Sequence, residues 1–155
     1  MDAKDDAIIR VLSRRAGLSS RALSTMLDIP ISTVHRRVKR LERDGVITGY
    51  KALIDFEQTT WPIGALLLID LAEVIPGKGH IPKKNILTTL RRFEEIEEII
   101  EVQAAGFNLV LKCRFHSLKK LSDFLEELRS VEGIEETTSA IITDETVTSP
   151  PRFPA

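Results

Sequence analysis

The feature that most constrains this chain is an internal repeat in its second half. Shifting the sequence by 38 positions superimposes apolar residues: Ile86 falls on Phe124, Leu87 on Leu125, Leu90 on Leu128, Phe93 on Val131 and Ile96 on Ile134. Arg91 also falls on Arg129, and Glu97-Glu98 on Glu135-Glu136. The spacing within each copy is that of a helix with one buried face. A chance match of two amphipathic helices would not also repeat the Ile-Glu-Glu that follows them. An apolar run precedes each helix, residues 63–71 before the first and 109–115 before the second. Strand, helix, strand, taken twice, is the ferredoxin-like arrangement, with both helices on one face of an antiparallel sheet.

The other face of such a sheet must be solvated or covered. Ala65-Leu66-Leu67-Leu68-Ile69 is apolar at both alternating sets of positions, and Ile99-Ile100 repeats this on a neighbouring strand. A strand with one wet face alternates instead, so a charged open face is not expected there. Each buried Leu or Ile is worth about 1.5–3 kcal/mol, which favours pairing of two copies through this face. A two-fold homodimer is expected.

The first fifty residues read as three helices and a strand. Ile8, Ile9 and Leu12 lie at helical spacing behind an acidic start that suits a helix dipole, and Arg14, Arg15 and Gly17 close this helix. Ser19 or Ser20 caps a second short helix with Leu23 and Leu27 inward. Asp28-Ile29-Pro30 breaks it: Asp tolerates the left-handed conformation of a tight turn, and Pro30 suits the first position of a third helix. Ile31, Val34, Val38 and Leu41 form the buried stripe of that helix, and Gly45-Val46-Ile47 follows as a strand.

The opposite face of the third helix carries Ser32, Thr33, His35, Arg36, Lys39 and Arg40. Two helices on a short turn, the second basic and rich in hydrogen-bonding side chains, form a helix-turn-helix. Small hydroxyl residues let such a helix sink into the major groove, where Arg36 can reach guanine O6 and N7. Lys39, Arg40 and Arg43 can reach phosphates and set the register, while Arg37 braces the helix or touches phosphate. Two-fold symmetry would present two such helices to a palindromic duplex.

Charge divides the same way. Residues 1–55 hold 11 Lys and Arg against 7 Asp and Glu, a net of +4, whereas the remaining residues hold 11 against 16, a net of −5. A basic end suited to a polyanion is thus joined to an acidic remainder. The longest uncharged apolar run, from Ile63 to Ile69, is too short to cross a bilayer. Asp2, Asp5 and Asp6 stand where a secretory signal would be basic and apolar. Cys113, the single cysteine, can form neither an internal disulfide nor a thiolate cage, and a cytoplasmic protein is expected.

The string Ser32-Thr33-Val34-His35-Arg36-Arg37-Val38-Lys39-Arg40-Leu41-Glu42-Arg43-Asp44-Gly45-Val46-Ile47 is similar to the recognition helix and exit of Lrp/AsnC, or feast-famine, regulators. The resemblance extends over residues 2 to 143 and includes that family's glycine-centred signature, here Gly106-Phe107-Asn108-Leu109-Val110-Leu111. It implies an α+β regulator with an N-terminal winged helix-turn-helix followed by a ferredoxin-like βαββαβ ligand-sensing domain. It also implies a dimer or an assembly of dimers. A small effector, usually an amino acid, would bind at Gly106, Phe107 and Asn108. A glycine there lets backbone approach a ligand closely, or simply closes a tight hairpin. The family usually carries Asp where Asn108 stands, and Gly and Ser where Asp28 and Pro30 stand.

The expected division is a DNA-binding domain over 1–54, a linker over 55–62, a sensing and dimerisation domain over 63–143 and an extended tail over 144–155, proline-rich from Ser149 to Ala155. Trp61 in the linker is read as a packing residue. His35, His80 and His116 stand too far apart for a metal pair. Gly77-Lys78-Gly79-His80 lacks the spacing of a phosphate loop and reads as a turn. Glu94, Glu95, Glu97, Glu98 and Glu101 read as a solvated acidic turn, and Cys113 as a small core residue. No cofactor is expected. Haem-pathway decarboxylases resemble the same family, so a tetrapyrrole enzyme is the alternative. It would need His and Arg gathered at a cleft, and the basic helix argues for DNA and no enzyme.

Overall fold

Among the described residues, three helices precede a strand, helix, strand, strand, helix, strand succession, the order that the repeat and the helix-turn-helix demand. A computed structural model describes residues 1–72, 74, 77, 79 and 81–146, in two compact units, Met1–Ile54 and Asp55–Glu145. Lys78 and His80 of the glycine-rich turn lie outside the described residues, as does the proline-rich stretch from Ser149 to Ala155. Among the described residues no helix is long and apolar enough to cross a membrane.

The first unit holds α1 (Ala3–Leu12), α2 (Ser20–Leu27) and α3 (Ile31–Arg43) around Ile8, Leu12, Leu23, Ile29, Val34 and Leu41. Several expectations shift by a turn or less. α1 ends at Leu12 with Ser13 as its C-cap, so Arg14 and Arg15 lie in the turn beyond it. Gly17 is absent from the residues of positive φ and is not the C-terminal glycine of that helix. Pro30 is the N-cap of α3, one position before the helix proper. Val34 and Leu41 are buried and Val38 is partly so, but Ile31 is 46% exposed because it opens the helix before the stripe turns inward.

Gly45-Val46-Ile47 is not a strand. Gly45 takes φ 71°, its N–H donates to the Glu42 carbonyl at 3.1 Å, and Val46 N–H donates to Leu41 at 2.9 Å. This is a Schellman ending, and Ile47 N–H also turns back to Leu41 at 3.0 Å. Those donors are spent on α3, so they are not offered to a sheet ladder.

The second unit begins with a 3₁₀ turn, Phe56–Gln58, then β1 (Ile63–Leu71), α4 (Lys83–Leu90), β2 (Ile96–Ala104), β3 (Phe107–Phe115), α5 (Leu118–Arg129) and β4 (Ile134–Ile142). The sheet order is β2-β3-β1-β4, every pair antiparallel, as the duplicated strand-helix-strand requires. Ala65, Leu67 and Ile69 of β1 and Leu109, Leu111, Cys113 and Phe115 of β3 face Ile86 and Leu90 of α4 and Leu121, Phe124 and Leu128 of α5. The matched positions of the repeat are therefore the core. Phe124 lies edge-on to Phe93 with ring centroids 5.3 Å apart. Gly133, before β4, has φ 97°, and a Cβ there would stand 2.5 Å from Ile86 Cδ1. Burial pushes the Cys113 thiol up to about 12.

The stretch 55–62, expected to be a linker, falls within this second unit. Asp55 caps the 3₁₀ turn through the Glu57 N–H, and the Trp61 ring packs on His116, centroids 3.9 Å apart. His116 Nδ1 reaches the Thr60 carbonyl at 2.5 Å. Trp61 thus has the packing role expected of it.

Candidate nucleic-acid interface

Three local devices aim α3. Ser19 Oγ accepts the Ala22 N–H at 3.2 Å and starts α2. Asp28 stops it by turning left-handed, φ 51° and ψ 47°. Ser24 Oγ then donates to the Ile29 carbonyl at 2.6 Å, closing the turn, and Pro30 accepts the Val34 N–H at 3.0 Å to open α3.

The eight residues expected at the DNA face do not share one role. Ser32, His35, Arg36, Lys39 and Arg43 are exposed, and Thr33 is half-buried. Lys39 Nζ pairs with Glu42 at 3.0 Å, and Arg43 Nε with Asp44 at 2.9 Å. Lys39, with help from the Tyr50 hydroxyl, holds the Glu42 carboxyl below its ordinary range. These are solvent-exposed pairs that a phosphate can replace at little cost.

Arg37 and Arg40 are held differently. Arg37 Nη1 donates to both Asp2 oxygens and to Asp5 Oδ1, each at 2.8 Å, and its side chain is 15% exposed. Arg40 Nη2 donates to Asp5 Oδ2 at 2.5 Å, while its side chain stays 43% exposed. Asp2 and Asp5 are in turn fixed by a capping box: Asp2 Oδ1 accepts the Asp5 N–H at 3.0 Å and Asp5 Oδ2 accepts the Asp2 N–H at 3.1 Å. Arg37 holds the buried Asp5 carboxyl below its ordinary range, and the Asp5 N–H, followed by Arg37, does the same for Asp2. Arg37 therefore braces α3 against α1. Sequence reasoning missed Asp2 and Asp5, whose three-residue spacing suits a helix cap but whose partners lie more than thirty positions away.

In the second unit, Gly106 closes the β2–β3 hairpin with φ 83°, next to the Ala104–Phe107 pair. A Cβ there would meet nothing within 4 Å, so the conformation and not crowding calls for glycine. Phe107 is half-buried, and Asn108 Oδ1 accepts the Leu71 N–H at 2.7 Å, where the β1–β4 register shifts. The side-chain oxygen at this position thus stitches two strands together.

The open face of the sheet is apolar along β1, where Leu66 is 37% exposed, and at Ile100 of β2, 46% exposed. β3 adds charge that the reading of β1 did not anticipate. Lys112 pairs with Glu145, and the buried Arg114 pairs with Glu145 and, at 3.3 Å, with Glu97. Arg114 also lies 4.1 Å over the Phe56 ring, and Gly64 leaves the room it occupies, since a Cβ there would stand 2.6 Å from Nη1. Among the described residues no group of three or more His, Cys, Asp and Glu could hold a metal.

Residues 1–48 match the winged helix-turn-helix DNA-binding family, and residues 80–152 match the Lrp/AsnC ligand binding domain. The HTH-type transcriptional regulator FL11 of Pyrococcus furiosus is 30% identical over 142 residues, covering 92% of this chain and 89% of its own length. The chain belongs to the Lrp/AsnC family of transcriptional regulators. Its fold agrees with the solved Lrp/AsnC structures. The leucine response regulatory protein (LrpA) of Mycobacterium tuberculosis has a TM-score of 0.79 at 27% identity, over 99% of this chain and 100% of that one. A complex of the Neisseria meningitidis transcriptional regulator NMB0573 with L-Met has a TM-score of 0.79 at 21% identity, over 97% and 96% of the two chains. This Lrp/AsnC protein is a DNA-binding transcriptional regulator with a ligand-binding domain, as the Pyrococcus relative's name also has it.

Proposed function

We propose that this Lrp/AsnC chain acts in the cytoplasm as a homodimer, or an assembly of dimers, that reads a palindromic duplex site and responds to a small effector such as an amino acid. The observation that carries the DNA reading is the exposed face of α3, presented after the left-handed Asp28 turn with Ser32, Thr33, His35 and Arg36 at its leading end. Those four residues read base edges; Lys39, Arg40 and Arg43 contact phosphates. The exposed Leu66 and Ile100 support pairing through the open sheet face. The Gly106 hairpin supports an effector site at Gly106, Phe107 and Asn108, and the L-Met complex of the Neisseria regulator supports an amino acid as its class.

The test is a mobility-shift titration with the chain's own upstream DNA and an equal-length random duplex at two salt concentrations. A shift specific to the upstream duplex that survives the higher salt is expected. Equal, salt-sensitive binding to both duplexes would contradict sequence reading at that site. Amino acids are then screened on the specific complex, where the responsive one changes its midpoint.

A further inference from the structure

We infer that Asp5 is a positioning residue for DNA binding, which orients the Arg40 guanidinium so that its outer edge donates to a backbone phosphate. This rests on the DNA-binding reading above and adds to it a residue of α1, outside the helix-turn-helix pair. Asp5 is 1% exposed and grips two arginines one turn apart on α3, and it does not hold them equally. Arg37 commits one nitrogen to three carboxylate oxygens and is largely buried. Arg40 commits only Nη2 to Asp5 among the bonds observed and remains 43% exposed.

A guanidinium is a planar fork with five N–H donors, so one edge can rest on a buried carboxylate while another meets a phosphate. An ammonium is a point donor without that geometry. Holding Arg40 by Asp5 removes the rotamer freedom that a free arginine would lose on binding. Asp5 is itself fixed by the capping box with Asp2, so the chain of support runs from the α1 N-terminus to the recognition helix. A purely structural tie between helices would leave the phosphate contact, and hence the salt dependence of binding, unchanged.

The experiment uses the full chain and a random-sequence duplex, because a phosphate contact is indifferent to sequence. Affinity is measured across a salt series for the parent, Arg40→Ala, Arg40→Lys, Asp5→Asn and the Asp5→Asn/Arg40→Ala pair. Arg40→Ala is expected to weaken binding about tenfold and to flatten the salt slope by about 0.9 per subunit. Arg40→Lys should lose most of the same affinity, and Asp5→Asn should weaken binding of the parent but not of Arg40→Ala, so that the double variant binds as Arg40→Ala does. Parent-like binding by Arg40→Lys would overturn the inference, as would tighter binding by Asp5→Asn or additive losses in the pair. Should Asp5→Asn fail to fold, the exposed Arg40→Lys decides alone. Failure of the parent to bind any duplex overturns this inference together with the DNA-binding reading, whereas binding without sequence preference removes only the specific reading.

Discussion

Two cations on α3 separate the tasks of reading and holding. Arg36 faces solvent on the leading half of the helix, and Lys39 follows one turn later in an exposed pair with Glu42. If Arg36 forks onto a guanine, Arg36→Ala should cost about 1–3 kcal/mol and relax preference at one base pair. Lys39→Ala should weaken all sequences alike and flatten the salt dependence by about one unit per subunit. Titrations on base-substituted duplexes separate these outcomes, and uniform loss in both variants would contradict the division. The acid side of stability is also set by single residues. Asp2, Asp5 and Glu145 all have carboxyls held below their ordinary range when folded. Their stabilisation is complete above the unfolded carboxylate pKa of about 4 and is lost as pH falls through the lower folded values. Thermal midpoints should therefore hold steady from neutral pH down to about 5 and fall below it, with a smaller acid drop in Asp5→Asn.

At the scale of elements, the helices and sheet order were legible because burial imposes a period on sequence. Ile86, Leu90, Phe124 and Leu128 sit where the repeat placed them, facing β1 and β3. Asp28 was legible too, since few residues accept its conformation. The strand expected at Gly45-Val46-Ile47 failed for a reason that apolar pattern does not carry: its N–H groups had already turned back on α3. Asn108 stands where the family usually carries Asp, and its oxygen serves a backbone N–H of β1, a partner that only the folded register supplies. Substitutions at two positions test how the elements are joined. Asp28→Ala should destabilise the first unit by about 1 kcal/mol, since Ala lacks the short polar side chain that eases the left-handed region, and Asp28→Gly should not, since glycine has no Cβ to strain there. Gly133→Ala should cost more, since it adds a clash with Ile86 to an unfavourable φ. Denaturant titration gives both values, with a shifted midpoint and unchanged slope for a simple loss of stability.

For the whole molecule, a net of +4 in the first 55 residues and −5 in the rest gives one end that attracts a polyanion and another that does not. The dimer proposed for the open face predicts that Leu66→Asp sediments as a monomer at micromolar concentration while each unit stays folded, and that it loses preference for a two-fold site before it loses contact with DNA. A parent chain that is itself monomeric at that concentration would contradict the pairing. Cys113 gives the same sheet a clock. It is the single thiol of the chain, it lies fully buried on β3, and burial keeps it protonated at neutral pH. Alkylating reagents attack thiolates, so Cys113 reacts only in the moments when the sheet parts from its helices. Its labelling rate counts those openings, and anything that fastens onto the second unit, whether a second copy or a small molecule, will be seen as a slowing of that count before its binding place is known.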